Sequence, residues 1–144
     1  MERAPLFVVD ASVAVKWYVQ ESDRARALRL RDDYAKRRVD LLAPRLILYE
    51  VGNALRYHPN ADGNLSSDGV RALHRMGFTV EWSDDDAVHE AMRIAYSENI
   101  TFYDAVYLAL AEKEDAKVIS ADEKLIGKLR EHGGRILSLR TLAP

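Results

Sequence analysis

The chain has 144 residues, no cysteine and a formal net charge of −2 at pH 7. Its length suits one domain over residues 1–144, and the lack of cysteine excludes disulfides and thiolate metal sites, as expected in a reducing cytoplasm. We find neither an apolar stretch of membrane-spanning length nor an export signal. Because the net charge is slightly negative, any contact with nucleic acid needs a local basic patch.

Strands and helices are predicted to alternate along the chain. Residues 6–9 and 118–119 are apolar without alternation, which is typical of strands buried on both faces of a parallel sheet. Weaker strands are predicted at residues 41–43, 79–81 and 136–138. Helical periods cover residues 12–19, 23–38, 45–57, 67–76, 84–97, 102–114 and 123–131, and residues 58–67 are predicted to form a surface loop. This alternation predicts an α/β sandwich with right-handed crossovers.

The first strand ends in a charged residue, Asp10. At the carboxyl end of a strand in an open α/β sheet, a polar residue is placed where ligands bind. An aspartate at this position also suits the N-cap of the helix that follows. The local sequence leaves both interpretations open.

Helical spacing predicts that Glu50 lies on an apolar face. Burial of an unpaired carboxylate costs several kcal/mol, so Glu50 needs a partner, a shifted pKa or a cation. Arg56 is one candidate partner, whereas Asn53, one turn along the helix, indicates a polar site. The predicted stripe contains Leu46, Glu50, Asn53, Ala54 and Tyr57, beside Ile47, Val51 and Leu55.

Two further acids lie at helix starts. Asp104 has capping-box spacing to Thr101 in a helix that is apolar almost all round, so its role is either in the cap or in a site. Asp122 follows the second buried strand. Ser120 and Glu123 also have capping-box spacing, which predicts that Asp122 has no capping role and faces a ligand.

Together the four acids predict a metal site. If the two buried strands are neighbours, Asp10 and Asp122 meet at one edge of the sheet. Two carboxylates about 4 Å apart repel by roughly 4 kcal/mol at an effective dielectric of about 20, so four converging acids need a cation. Oxygen ligands without histidine or cysteine favour Mg²⁺ or Mn²⁺ over zinc.

In order and spacing, these segments resemble the four motifs of the PIN-domain family, and within it the VapC-type toxins of prokaryotic toxin–antitoxin pairs. The motifs are FVVDASVAVKWY, APRLILYEVGNALRY, ITFYDAVYLALAE and VISADEKL. One departure is Ser120, where relatives often have threonine. The resemblance implies a three-layer α/β/α sandwich with a central parallel five-stranded sheet in the order 3-2-1-4-5.

The resemblance also implies a Mg²⁺- or Mn²⁺-dependent endoribonuclease that is often a homodimer and is held inactive by an antitoxin encoded beside it. Asp10 would be the central ligand of one or two metals, with Glu50 and Asp104 in the first metal's shell and Asp122 towards a second metal. Other residues would support the site: Ser12 and Ser120 through their hydroxyls, Asn53 by holding Glu50 or contacting phosphate, and Arg45 and Arg56 as candidate RNA contacts.

The sequence is also compatible with other functions. The chain could be a solitary PIN nuclease in RNA processing, or a PIN module that binds RNA or a partner without cutting it. A phosphatase with an aspartate nucleophile needs a second aspartate where Ser12 stands, and a phosphoacceptor receiver domain needs an acidic pair at the first strand. We interpret Trp17, Tyr18, Tyr49, Tyr103 and Tyr107 as core or partner contacts and not as base-stacking platforms.

Overall fold

The computed structural model describes residues 2–81 and 84–144. Its strands are Leu6–Val9 (β1), Asp40–Pro44 (β2), Thr79–Val80 (β3), Lys117–Ser120 (β4) and Ile136–Ser138 (β5). They form one parallel sheet in the order β3-β2-β1-β4-β5, which confirms the predicted order.

The helices lie on both faces of this sheet. They are Ala11–Ala14 (α1), Arg24–Ala35 (α2), Leu46–Tyr57 (α3), Gly63–Arg75 (α4), Asp85–Glu98 (α5), Phe102–Lys113 (α6) and Glu123–Lys128 (α7), and a short 3₁₀ turn, Val15–Trp17, continues α1. Helix α3 packs on α1 and α4, and α5 packs on α6. With the right-handed crossovers that parallel sheets generally have, α1, α3 and α4 lie on one face of the sheet and α5 and α6 on the other, giving three layers.

The core is centred on β1 and α6. Val8 and Val9 of β1 are fully buried, and all residues of α6 from 105 to 111 are buried where this helix packs on β1, β2 and β4. The prediction that α6 is a central helix is confirmed. No helix within the described ranges combines the length and the apolar character needed to cross a bilayer.

The predicted loop over residues 58–67 is wrong in its second half. Helix α4 begins at Gly63, and the Asp62 side chain caps it by accepting a 2.8 Å hydrogen bond from the Leu65 N–H. The Gly, Asn and Ser residues that favour a loop belong to the exposed first turns of an amphipathic helix. Only residues 58–62 connect α3 to α4.

Candidate metal centre

The parallel pairing of β1 and β4 fixes the position of Asp10. Val9 pairs with Ile119, and the Asp10 N–H donates a hydrogen bond to the Ile119 carbonyl at 3.3 Å, so Asp10 lies beside Ser120 at the carboxyl edge. Its Oδ1 also accepts a hydrogen bond from the Val13 N–H at 3.3 Å and caps α1. The two interpretations of Asp10 are therefore compatible, because one side chain serves both the helix and the edge.

Two serine hydroxyls join the ends of β1 and β4. Ser12 Oγ donates to Asp10 Oδ1 at 2.5 Å, accepts from the Ala121 N–H at 2.8 Å and lies 3.3 Å from Ser120 Oγ. The fully buried Ser120 accepts a 3.0 Å hydrogen bond from the Asp122 N–H. The hydroxyls therefore fix Asp10 relative to the chain segment that carries Asp122.

Asp10 is costly to ionise in this environment. Asp10 is only 7% exposed. Burial raises the pKa of Asp10 from 3.8 to about 6, although hydrogen bonds from Ser12, Ser120 and the Val13 N–H oppose the rise, and the charge of Asp104 adds to it. A nearby cation would remove this penalty, which is what a metal ligand at a buried position requires.

Glu50 is held by Tyr107, which the sequence predicts only as a core or partner contact and not as a member of the site. The buried Tyr107 hydroxyl donates a 2.6 Å hydrogen bond to Glu50 Oε1. Burial raises the pKa of Glu50, the Tyr107 hydrogen bond lowers it and the charge of Asp104 raises it. Burial also raises the pKa of Tyr107, as do the three acids around it, so its hydroxyl remains a donor. The available signal was the three-residue spacing from Asp104, which places both side chains on one face of α6.

The predicted apolar face around Glu50 is wrong in part. Asn53 and Tyr57 are exposed, and Asn53 makes no side-chain hydrogen bond within the described part of the chain. The Arg56 guanidinium lies 5.0 Å from the centre of the Tyr57 ring and is not the partner of Glu50. Glu50 is half-buried at the border of the true core face, which is formed by Ile47, Val51 and Leu55.

The predicted cap at the start of α6 is confirmed through Thr101, and the Asp104 side chain also interacts with Thr101. The Asp104 N–H donates to Thr101 Oγ1 at 3.0 Å, and Asp104 itself is half-buried. Burial raises the pKa of Asp104, a hydrogen bond with Thr101 lowers it, the charge of Asp122 raises it and Lys128 lowers it.

The prediction that Asp122 has no capping role is wrong. Asp122 Oδ1 accepts a 3.0 Å hydrogen bond from the Leu125 N–H and caps α7. The predicted capping box fails because Ser120 is still the last residue of β4. The N-cap of α7 is therefore Asp122, two residues after the Ser120 that the box requires. Asp122 is exposed, in contrast to the other three acids.

The acids fit a hard divalent cation by their chemistry. Burial is the main cause of the raised pKa values of these acids, and Asp104 is the electrostatic neighbour that they share. The charge of Asp104 raises the pKa of Asp10 and of Glu50, and the charge of Asp122 raises the pKa of Asp104. None of the ion pairs formed within residues 2–81 and 84–144 involves these acids. In the same ranges no group of three or more histidine, aspartate or glutamate side chains is placed so that it could hold a metal ion. The donor set is entirely oxygen, which suits Mg²⁺ or Mn²⁺.

Arg45 and the remaining aromatic residues lie in different environments. Arg45 Nε forms a 2.8 Å ion pair with Glu81 Oε1 at the start of α3. Trp17 is buried, as the core interpretation predicts, and its Nε1–H donates to the Ala27 carbonyl at 2.7 Å. Tyr49 and Tyr103 are not core residues, because they are 72% and 59% exposed.

An α/β/α sandwich with a parallel sheet in the order 3-2-1-4-5, in which Asp10 and Asp122 follow the neighbouring strands β1 and β4, defines the class of domain. The chain belongs to the PIN domain family, whose model matches residues 7–130.

Named relatives and solved structures agree with this family. Ribonuclease VapC1 of Mycobacterium tuberculosis is 31% identical over 82% of this chain and 86% of its own length. Ribonuclease VapC3 of Pyrobaculum aerophilum is 33% identical over 84% and 92%, and Exonuclease VapC9 of the same organism is 28% identical over 69% and 74%.

Two solved structures share the fold. The crystal structure of PAE2754 from Pyrobaculum aerophilum superposes with a TM-score of 0.69 at 25% identity and covers 96% of this chain and 85% of that one. A toxin–antitoxin complex from Klebsiella pneumoniae contains a chain with a TM-score of 0.66 at 13% identity, with 92% and 97% covered.

Proposed function

We propose that this protein is a Mg²⁺- or Mn²⁺-dependent endoribonuclease and the toxin of a VapBC-type toxin–antitoxin pair. The observation that carries the proposal is the buried Asp10 at the carboxyl end of β1, which has no ion-pair partner in the described chain and lies within electrostatic reach of Asp104. The names of the ribonuclease relatives support RNA as the substrate.

Each side chain has a separate task in this proposal. A divalent cation bound here supplies an activated water and neutralises charge on the phosphodiester. Asp10, Glu50 and Asp104 hold the cation, and Asp122 takes part from the α7 cap. Tyr107 keeps Glu50 in place, while Ser12 and Ser120 fix Asp10.

The proposal includes protein partners. Structural neighbours are described as toxin–antitoxin complexes, which supports an antitoxin that binds this chain. We also propose a homodimer in the cytoplasm, with the whole chain acting as one domain. A candidate contact surface is the exposed stripe of α5 formed by Val88, Met92 and Tyr96, which have helical spacing of four residues.

Arg45 and Arg56 are the proposed RNA contacts. Arg45 lies at the start of α3, one turn before Glu50, and Arg56 lies on the same helix over the Tyr57 ring. Loss of either charge is expected to weaken RNA binding and to flatten its dependence on salt. An unchanged salt slope would reject that residue as a phosphate contact.

The experiment that tests the activity uses linear and circular single-stranded RNA. The purified protein is expected to cut both with Mg²⁺ or Mn²⁺, to stop when EDTA is added, and to leave 5′-phosphate and 3′-hydroxyl ends. Because one relative is named an exonuclease, exonucleolytic action is the second candidate. Cleavage of linear RNA with intact circles would favour that candidate over an endoribonuclease.

A further inference from the structure

A cavity of about 340 Å³ lies between the starts of α3 and α6. Arg45, Leu46 and Tyr49 line it from the α3 side, and Tyr103 and Val106 line it from α6. Glu81, which follows β3, completes the rim and forms the ion pair with Arg45. Phe102 also lines it, so the cavity combines three aromatic rings, an apolar wall and the Arg45–Glu81 ion pair.

The cavity adjoins the acid site through the helices themselves. Tyr49 immediately precedes Glu50, and Tyr103 immediately precedes Asp104. Successive side chains on an α-helix are rotated by about 100°, because a turn has about 3.6 residues. Each tyrosine therefore stands on the helix face next to that of its acid, so the cavity and the acids occupy neighbouring faces of α3 and α6.

The two tyrosine rings are available for contact. Tyr49 is 72% exposed and Tyr103 is 59% exposed, whereas Val106 in the cavity wall is buried. The ring–ring contacts formed within the described residues involve other aromatics, namely Trp17, Tyr18, Tyr34 and Phe78. Exposed aromatic rings with an apolar wall behind them are suited to stacking with a flat ligand.

We propose that this cavity binds one nucleobase of single-stranded RNA beside the phosphodiester that is cut, with Tyr49 and Tyr103 as stacking surfaces and Arg45 near the adjoining phosphate. The inference rests on the proposed ribonuclease and adds a base-binding cavity lined by Tyr49 and Tyr103 to it. Single-stranded RNA is commonly recognised by stacking of splayed bases on aromatic side chains.

Size and charge favour a base over a protein segment. The volume is at the lower end of the range of about 300–1,000 Å³ for small-molecule sites. A docking helix is about 10–12 Å across with its side chains, and it needs a groove longer than a cavity of this size. The guanidinium of Arg45 complements a phosphate, and it lies on the side of the cavity formed by the same helix that carries Glu50.

The test measures the affinity of a fluorescein-labelled single-stranded RNA for the Asp10→Asn protein, which is expected to bind without cutting. In this background Tyr49→Leu and Tyr103→Leu should each weaken binding by about 5- to 150-fold, the range for loss of one stacked base. Tyr49→Phe keeps the ring and should bind normally. Leu65→Ala is the control, since Leu65 is 37% exposed on α4 and does not line the cavity.

A second arm identifies the occupant as a base. One abasic position in the RNA should reduce binding by the parent protein, and Tyr49→Leu should then cause no further loss. Binding within twofold of the parent for both leucine variants would overturn the assignment. It would equally be overturned if Tyr49→Leu changed the oligomeric state in sedimentation and left RNA affinity intact, because the cavity would then be a protein contact.

Cleavage by the otherwise unmodified chain separates this inference from the proposed function. A Tyr49→Leu protein with a raised KM and an unchanged kcat would support the cavity as a binding site. If the protein cleaves RNA and Tyr49→Leu has the original KM, the cavity assignment fails and the ribonuclease stands. If the unmodified protein neither binds nor cleaves RNA, both fail.

Discussion

Asp10 combines the cap of α1 with the most buried position among the four acids. In the metal-free protein, its folded pKa of about 6 lies above the ordinary value of 3.8. Its contribution to stability is therefore fully present below pH 3.8 and is lost as the pH rises through 6. A rise of this size corresponds to a penalty of at most about 3 kcal/mol.

We accordingly expect metal-free Asp10→Asn protein to be more stable than the unmodified protein at pH 8, by about 1–3 kcal/mol. Asparagine caps a helix as well as aspartate does, so α1 is retained. Urea unfolding in EDTA at pH 4 and pH 8 measures the difference, which should nearly vanish at pH 4. A variant that is less stable at pH 8 would show that Asp10 is not penalised by burial.

Tyr107 is expected to tune the site without contacting substrate. Tyr107→Phe removes the donor to Glu50, and changes of this kind typically weaken metal binding by about 10- to 100-fold. Titration of RNA cleavage with Mn²⁺ would detect the shift. Tyr34→Phe is the matched control, because Tyr34 donates a 2.9 Å hydrogen bond to the Met76 carbonyl away from the acids; an equal shift in both variants would refute a specific role.

At the scale of elements, Glu98 ties the end of α5 to the segment after α7. Its carboxylate accepts hydrogen bonds from the Arg130, Glu131 and His132 N–H groups at 2.9–3.3 Å and lies 3.1 Å from His132 Nδ1. Burial alone would raise the pKa of Glu98, but these hydrogen bonds outweigh it and lower the pKa from 4.5 to about 2. The stabilisation is therefore present above pH 4.5 and is lost as the pH falls through 2.

Glu98→Gln should lower the free energy of unfolding at pH 7 by roughly 2 kcal/mol, because hydrogen bonds to a charged group are lost. The difference from the unmodified protein should shrink between pH 4.5 and pH 2. Glu131→Gln, an exposed change in the same segment, is the control. A difference that stayed constant down to pH 2 would contradict the role of the ionised carboxylate.

The elements differ in how far the sequence predicts them. Uninterrupted apolar residues identified β1 and half of β4, whereas α4 was predicted too short because its first turns are composed of loop-forming residues. The order of the strands within the sheet was predicted from the family resemblance. The partners of Glu50 and Glu98 were missed because Tyr107 and His132 are 57 and 34 residues away along the chain and meet them only by packing.

At the scale of the whole molecule, the proposed homodimer depends on the α5 stripe. Burial of Met92 between two copies would make a charge at this position costly, so Met92→Glu should shift the protein to a monomer in sedimentation equilibrium. Met92→Leu keeps the apolar surface and should leave the oligomeric state unchanged. A dimer that persists in Met92→Glu would place the contact on another surface.

The proposed ribonuclease activity of the whole molecule depends on the four acids acting together on RNA. The most direct test is the rate of RNA cleavage with Mg²⁺ or Mn²⁺ by the unmodified protein and by Asp10→Asn, Glu50→Gln, Asp104→Asn and Asp122→Asn, each checked for folding. We predict metal-dependent cleavage by the unmodified protein and a loss of at least about 100-fold in Asp10→Asn, since the cation supplies both the nucleophile and the charge neutralisation. Cleavage by Asp10→Asn at the unmodified rate would contradict the account.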